Sequence, residues 1–157
     1  MPQDRDDRLA IIETVNNWAL WRDAGDWERF RTVWHDDGWM TATWFQGPAE
    51  KFIEVSKAGF DKGVSILHFL GGSSVDVKGA RAIAQTKMTI SQRAPVHDVP
   101  CDVVCTGRFY DFLEKRQGRW GILQPRPSEL CFLALHFALR GMQAIQELGP
   151  QVAWRHA

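Results

Sequence analysis

The sequence predicts a single α+β domain in which N-terminal helices pack on one face of a curved antiparallel sheet. Two features of the pattern lead to this fold class. Apolar residues recur at helical spacing early in the chain, and the pattern changes to alternation from about Val64 onward. Helices followed by a run of strands are typical of α+β architecture. The 157 residues are enough for one domain, and we expect one domain over residues 1–157.

Three helices are predicted before the main sheet. The first covers Asp4 to Arg22 and ends at Gly25, a natural helix stop. Asp26 is placed to cap a second, short helix. A third helix has Pro48 in its first turn. Phe30, Val33 and Trp34 are expected on the buried face of the second helix, and the third helix carries Phe52, Val55 and Phe60.

The remaining pattern predicts strands separated by turns. The segments expected to be extended are Trp39–Phe45, Val64–Leu70, Val75–Lys78, Ala80–Gln92, Cys101–Glu114 and Arg119–Gln124. We expect Gly47 to end the first of these segments, and the second to be buried and followed by a flexible stretch, Gly71–Ser74. Pro95–Pro100 is predicted to be a loop. The sequence Arg116-Gln117-Gly118 predicts a hairpin turn.

The C-terminal part of the chain has a different character from the rest. Pro125 and Pro127 close the last predicted strand, and the following segment, Ser128–Leu148, is apolar on nearly every side in its first half. A helix with this pattern must be buried against the domain or against another subunit. We therefore expect a core over residues 1–127 and an additional C-terminal helix in an atypical tail, residues 128–157.

Composition excludes several classes of function. Lys and Arg together number 19, as do Asp and Glu, so the formal net charge is zero and predicts neither nucleic acid nor a membrane surface as partner. No apolar run approaches the roughly 20 residues of a membrane span. The charged start lacks the apolar segment of a secretion signal. The three cysteines, Cys101, Cys105 and Cys131, lack metal-ligand spacing, which predicts a reduced, cytoplasmic protein without a metal.

Asp23 and His68 are the two ionisable residues that stand out from their surroundings. Asp23 lies at the end of an apolar helix, where its carboxylate could point into a pocket, and His68 lies within the apolar run VSILHFL. An imidazole can accept a proton at neutral pH, and an aspartate bonded to its other nitrogen fixes the tautomer. We predict that the two residues form a dyad inside one cavity.

Each of these candidates also has a structural interpretation. His68 alone is more often a core histidine bonded to the backbone, and Asp23 is equally well explained as a turn carboxylate that caps the next helix. Trp18, Trp39 and Phe109 are candidate walls of a hydrophobic pocket, although ordinary core aromatics would show the same pattern.

The order of the elements and the residues at their breaks resemble the SnoaL-like branch of the nuclear-transport-factor-2-like superfamily. The resemblance extends from about Asp4 to Gln124 and is carried by DRLAIIETVNNWALWRDAGDWERFRTVWHDDGW, ILHFLGGSSV and CTGRFYDFLEKRQGRW. It implies a cone-shaped α+β barrel. Scytalone dehydratase and hexachlorocyclohexane dehydrochlorinase, which the chain resembles within this branch, use an Asp–His dyad as general base. By position, Asp23 matches the aspartate and His68 the histidine.

Three positions depart from the pattern of those enzymes. Arg22 stands where the dehydratase has a tyrosine beside its aspartate. The dehydratase also uses a second histidine and an asparagine on its sheet, whereas His97 falls in the predicted proline-bounded loop. Finally, the basic residue that members usually place on the last strand has only Arg126 as a substitute.

The resemblance implies a lyase or isomerase that needs no cofactor. It would act on a small hydrophobic cyclic molecule by dehydration, dehydrohalogenation or a related proton abstraction. The alternative is a non-catalytic ligand-binding or assembly module of the same fold, including a role like that of a dioxygenase small subunit. We also expect a homo-oligomer, a dimer or a trimer, because the open face of such a sheet usually needs cover.

Overall fold

A computed structural model of the protein describes residues 2–42, 44–96 and 99–123. Within these ranges the chain forms three helices and six strands. The elements in chain order are α1 (Pro2–Ala24), α2 (Trp27–Arg31), β1 (Trp39–Thr41), β2 (Gln46–Pro48), α3 (Ala49–Asp61), β3 (Ser65–Lys78), β4 (Arg81–Val96), β5 (Val99–Arg116) and β6 (Arg119–Ile122). None of the helices in these ranges combines the length and the apolar character that a membrane crossing requires.

The junction between α1 and α2 follows the sequence prediction. Gly25 has a φ angle of +70°, a conformation that suits glycine, and a Cβ at this position would lie 2.8 Å from the Phe60 ring. The Asp26 carboxylate accepts a hydrogen bond of 3.2 Å from the backbone N–H of Arg29, which caps α2. These contacts fix the direction in which the last turn of α1 points.

The core lies between α1, the two other helices and one face of the sheet. Phe30 is fully buried at its centre, with ring centroids 4.8 Å from Trp34 and 5.6 Å from Trp18. Burial of one such aromatic side chain contributes roughly 2–3 kcal/mol. The predicted burial of Phe30, Val33 and Trp34, which lie on α2 and in the turn after it, is confirmed.

Of the three apolar residues noted on the third helix, Phe52 is buried in α3, whereas Val55 and Phe60 are exposed. The residues that face the core are Ala49, Phe52, Ile53 and Ser56. They follow the i, i+3, i+4, i+7 spacing of one helical stripe, and Val55 falls outside it, so that 48% of Val55 is exposed. Phe60, at the end of the helix, is 42% exposed but still contacts the Trp27 ring at 5.7 Å.

The four long strands form one antiparallel sheet in the order β3-β4-β5-β6. α1 packs across its inward face. The predicted fold class of helices on one face of an antiparallel sheet is confirmed. The predicted C-terminal helix and the tail at residues 128–157 lie outside the described residues, as does the end of the last predicted strand.

The predicted strand Trp39–Phe45 is wrong in extent. Among the described residues of this segment, Trp39–Thr41 form the strand, which pairs with Gln46–Pro48 as a separate two-stranded hairpin. The Ala42 N–H donates to the Phe45 carbonyl at 2.7 Å, which reverses the chain between the two short strands. Gly47 therefore belongs to a strand instead of ending one.

Two predicted interruptions of the sheet are also corrected. Gly71–Ser74 continues β3, with a register shift only between Leu70 and Ser73. The predicted loop Pro95–Pro100 is much shorter, since β4 runs to Val96 and β5 begins at Val99, with Pro95 opposite Pro100. In this register neither proline stands where an N–H must donate across the β4–β5 pair, so both prolines are tolerated in the strands.

The two faces of β3 differ in burial. Phe69 is 71% exposed and Leu67 63%, whereas the His68 side chain between them is only 6% exposed. The prediction that this segment is buried throughout is therefore wrong. The described helices cover only the inward face of the sheet, so alternate side chains of β3 point away from them.

Candidate active site

Asp23 and His68 are held together by two hydrogen bonds. The His68 Nδ1–H donates to Asp23 Oδ1 at 2.7 Å, and the His68 backbone N–H donates to Asp23 Oδ2 at 2.6 Å. The two side chains are 6% and 12% exposed. Since a carboxylate only accepts hydrogen bonds, this arrangement selects the tautomer of His68 that carries its proton on Nδ1 and leaves Nε2 unprotonated.

The fold explains why these two residues meet. Asp23 lies in the last turn of α1, where the helix dipole disfavours a negative charge, so the carboxylate needs other partners. β3 is an edge strand of the sheet, and one row of its backbone N–H groups therefore faces away from β4. One of these groups, at His68, donates to Asp23. This hydrogen bond holds the Asp23–His68 pair together and also satisfies one backbone N–H at the edge of the sheet.

Aromatic rings surround the His68 imidazole. Its centroid lies 5.1 Å from the Trp18 ring, edge to face, and 6.2 Å from the Phe109 ring. Trp18 and Phe109 are themselves in edge-to-face contact at 5.5 Å. Two of the predicted pocket-wall residues are thus brought to the histidine, from α1 and from β5.

Arg22 is the residue at this site whose role the sequence analysis missed. Its guanidinium lies 3.7 Å from Asp23 Oδ1, and its side chain is only 9% exposed. Burial lowers the pKa of Arg22, and the charge of Asp23 raises it in part. A signal was present in the sequence, because Ile11, Val15, Trp18 and Arg22 follow one helical stripe that is otherwise apolar.

A half-open cleft reaches the acidic side of the dyad. It is lined by Arg22 and Asp23 at the end of α1, by Phe60 at the end of α3, and by the start of β3 from Gly63 to Ile66. The cleft meets Asp23 and not the His68 ring, which lies behind the carboxylate among the aromatic side chains. The structure thus places one member of the dyad at the surface of the cleft and the other deeper.

Within the described part of the chain, the remaining predicted pocket-wall residue, Trp39, does not lie at the dyad. Trp39 is half-buried in β1, and no ring contact joins it to Trp18, His68 or Phe109 in the described part of the chain. Arg126 and His97 lie outside the described residues. Cys105 is exposed on β5.

A second buried carboxyl group lies on β5. Asp111 stands opposite Ala84, and its Oδ2 atom is buried without a hydrogen-bond partner among the described residues. Burial raises the pKa of Asp111 to about 7. The sequence analysis did not identify this residue, because an aspartate in an alternating strand is normally assigned to the exposed face.

His35 is also buried, but its partners give it a structural role. Its Nε2 lies 2.9 Å from the Glu114 carbonyl and its Nδ1 lies 3.0 Å from the Arg119 guanidinium. Arg119 also donates to the carbonyls of Thr32 and Trp34. This network joins the turn after α2 to β5 and β6.

The fold is of the nuclear-transport-factor-2-like type. Residues 3–125 match the model of the SnoaL-like domain, and the chain belongs to that family.

Similarity to solved structures shows the fold. The chain superposes on a putative scytalone dehydratase from Novosphingobium aromaticivorans with a TM-score of 0.65 and 16% identity, over 78% of this chain and 83% of that one. It superposes on a hexachlorocyclohexane dehydrochlorinase, LinA type 2, with a TM-score of 0.67 and 14% identity, over 78% and 84% of the two chains.

A similar sequence is found in Fusarium vanettenii. Pea pathogenicity protein 2 of Fusarium vanettenii is 39% identical over 118 residues, which cover 73% of this chain and 51% of that protein. The chain thus spans about half the length of the curated relatives it matches.

Proposed function

We propose that this domain is a cofactor-independent lyase or isomerase in which His68 is the general base and Asp23 orients it. The observation that carries the proposal is the pair of hydrogen bonds, 2.6 and 2.7 Å long, from His68 to the two oxygens of Asp23. A carboxylate held by both the backbone and the ring of one histidine has little freedom to turn away. The imidazole is therefore fixed in position as well as in tautomer.

The reaction begins with transfer of a substrate proton to His68 Nε2. The electron pair of the broken C–H bond forms a new double bond, and a leaving group departs from the adjacent carbon with its own electron pair. A halide leaves as an anion, whereas a hydroxyl leaves as water and needs a proton, which the newly formed imidazolium carries. Asp23 stabilises that imidazolium, and Arg22, 3.7 Å away, offsets the charge of the carboxylate in the resting site.

Apolar surroundings favour a small hydrophobic substrate. The rings of Trp18 and Phe109 pack around His68, and Phe60, Val64 and Ile66 contribute to the cleft beside Asp23. An apolar pocket with a few fixed polar groups is typical of sites for small organic molecules. Hexachlorocyclohexane and scytalone, which the names of two structural neighbours contain, are therefore the first substrates to test.

A second candidate is a non-catalytic ligand-binding or assembly module. The observation that favours it is the position of the cleft, which reaches Asp23 and Arg22 but not the His68 ring. A ligand that stays in this cleft would contact the charged pair without approaching the base.

The test compares the wild-type protein with His68→Gln, which keeps a polar side chain but cannot act as a base. For the lyase we expect chloride release from hexachlorocyclohexane or dehydration of scytalone, and a loss of turnover of about 10²- to 10⁴-fold in the variant. Asp76→Asn, on the exposed face of the same strand, is the matched control and keeps full activity. Binding of either compound, seen as a change in tryptophan fluorescence, without turnover in the wild type would support the second candidate.

A further inference from the structure

The two edges of the main sheet are covered differently. At the β3 edge, the Asp23 carboxylate on α1 accepts a hydrogen bond from the backbone N–H of His68. At the opposite edge, β6 pairs with β5 only from Leu113 to Arg116, followed by one bond from the Leu123 N–H to the Phe112 carbonyl. β5 itself extends back to Val99. Within the described residues, most of this long strand has no partner on that side.

The register shows which backbone groups face the free edge. In an antiparallel pair, alternate residues direct both their N–H and C=O toward one neighbouring strand. Phe112 bonds toward β6, so the even-numbered residues of β5 before it also point their backbone groups to that side. Residues 102 to 108 are all exposed, which leaves these groups accessible.

Two residues shortly after β6 lack the backbone donor that pairing with this edge in the same register would require. Continued beyond Ile122, that register would place residues 125 and 127 opposite Tyr110 and Arg108, at positions that must donate an N–H. Both residues are prolines and have no N–H to donate. Two of the N–H donors that this register would need opposite β5 are therefore absent from the sequence.

We propose that the free edge of β5 pairs antiparallel with the same edge of a second copy of this chain, with the two-fold axis at Cys105. On one face of β5, Asp102 and Arg108 carry charges of opposite sign, and each lies three residues from that axis. Asp102 then stands opposite Arg108 of the partner subunit, and the exchange is repeated by symmetry. Val104 stands opposite the partner's Thr106, a pair of β-branched side chains that is favourable across strands. Because the contact is isologous, it closes at two copies.

This register also satisfies the backbone. It pairs even-numbered residues with even-numbered residues, and these are the residues whose N–H and C=O groups face the free edge. Cys105, an exposed free cysteine, lies at a non-hydrogen-bonded position directly opposite its own copy. The Cα atoms of such a pair are about 4.5 Å apart. That separation lies within the range of about 4.4 to 6.8 Å that a disulfide spans.

Charge complementarity is what favours a second copy over another occupant. The side-chain pair Arg93 and Asp102 within one chain is exposed, with distances of 2.7 and 2.9 Å, and the Asp102 carboxylate has capacity for a second partner. Arg108 stands beside Lys87 on β4, so it has a like charge as its cross-strand neighbour within its own chain. A carboxylate from the partner relieves that repulsion.

The first measurement is the mass of the full-length chain in solution by light scattering after size exclusion. We expect twice the chain mass of 17.9 kDa. Arg108→Asp places a negative charge opposite the partner's Asp102 and beside Lys87 of its own chain, so it disrupts the dimer without opposing the fold. Its dimer dissociation constant is expected to rise by about tenfold or more. The exchanged variant Asp102→Arg/Arg108→Asp restores the wild-type constant.

Two further variants test the register. Thr106→Pro removes one N–H from the free edge, leaves the bonds to β4 in place and yields a folded monomer, whereas Thr106→Val stays dimeric. With Cys101 and Cys131 replaced by serine, oxidation crosslinks two copies through Cys105. A monomer or a trimer, a dimer insensitive to Arg108→Asp and Thr106→Pro, or a dimer without the Cys105 crosslink would overturn the proposal.

Discussion

Asp23 and Asp111 both have carboxyl groups shielded from solvent, but the described residues around them differ in the hydrogen-bond donors that they provide. At the end of α1, Asp23 accepts two hydrogen bonds from His68 and has Arg22 3.7 Å away. In the middle of β5, the buried Oδ2 of Asp111 has no partner among the described residues, and burial raises the pKa of Asp111 to about 7. Burial makes a charge costly, and the presence of donors decides whether it is kept.

The difference indicates what each carboxyl can do. A carboxylate that accepts hydrogen bonds from both the backbone and the ring of a histidine can orient the imidazole. A carboxyl without donors is most stable when protonated and contributes a dependence of stability on pH.

Asp23→Asn is expected to have the largest effect. Asparagine offers one acceptor oxygen and one N–H₂ group, whereas His68 directs two N–H groups at this position. The ring avoids a donor–donor contact by moving its proton from Nδ1 to Nε2, the nitrogen that the proposed mechanism needs unprotonated. Turnover should fall by about 10²- to 10⁴-fold. Nitrogen NMR of the His68 ring should show the change of tautomer directly.

The NMR measurement keeps this prediction independent of the choice of substrate. Asp76→Asn again serves as the control on the exposed face of β3. An unchanged His68 tautomer in Asp23→Asn would contradict the orienting role, even if activity were reduced for another reason.

Asp111→Asn is expected to remove a pH dependence of stability. A carboxyl with a raised pKa keeps its proton in the folded state while the unfolded chain has already lost it. Stability from this group is therefore complete below about pH 4 and decreases as the pH rises to about 7. Over these roughly three pH units the loss amounts to about 4 kcal/mol. The neutral amide of asparagine avoids the loss.

Urea unfolding of both proteins between pH 4 and 8.5 provides the measurement. The quantity to follow is the free energy of unfolding of the wild type minus that of Asp111→Asn. This difference should decrease steadily up to about pH 7 and stay constant above it. A difference that does not change with pH would show that Asp111 is ionised and has found a partner.

The sequence predicted those parts that local chemistry determines. Gly25 and Asp26 determine where α1 ends and α2 begins, and the hairpin at Gln117 and Gly118 has both residues at positive φ, 51° and 81°. Alternation and helical spacing were sufficient for the fold class. The choice of Asp23 and His68 came from their contrast with apolar neighbours and from the family resemblance, and the structure places them in contact.

Features that depend on long-range packing were not predicted. The glycines at 71 and 72 indicated flexibility, but β3 continues through them, because Leu70 and Ser73 on either side pair with β4. The burial of Arg22 and of Asp111 depends on which face of each element meets the core. For a charged residue, neither spacing nor propensity determines that face, because the partner that justifies burial comes from a distant part of the chain.

Asp26→Ala completes the comparison with an acid near the surface and is expected to have the smallest effect. Its carboxylate accepts one backbone hydrogen bond of 3.2 Å from Arg29, and the loss of such a cap costs about 1 kcal/mol of unfolding free energy. Asp26→Asn should retain most of that stability, because asparagine caps helices about as well as aspartate. Both variants should keep the wild-type turnover per folded molecule, since Gly25 and the bond from the Asp26 N–H to the Trp21 carbonyl still end α1 at the same place. If Asp26→Ala instead lowered turnover as strongly as Asp23→Asn does, the start of α2 would have to position the dyad, and the hydrogen bonds within the Asp23–His68 pair would not suffice to hold it.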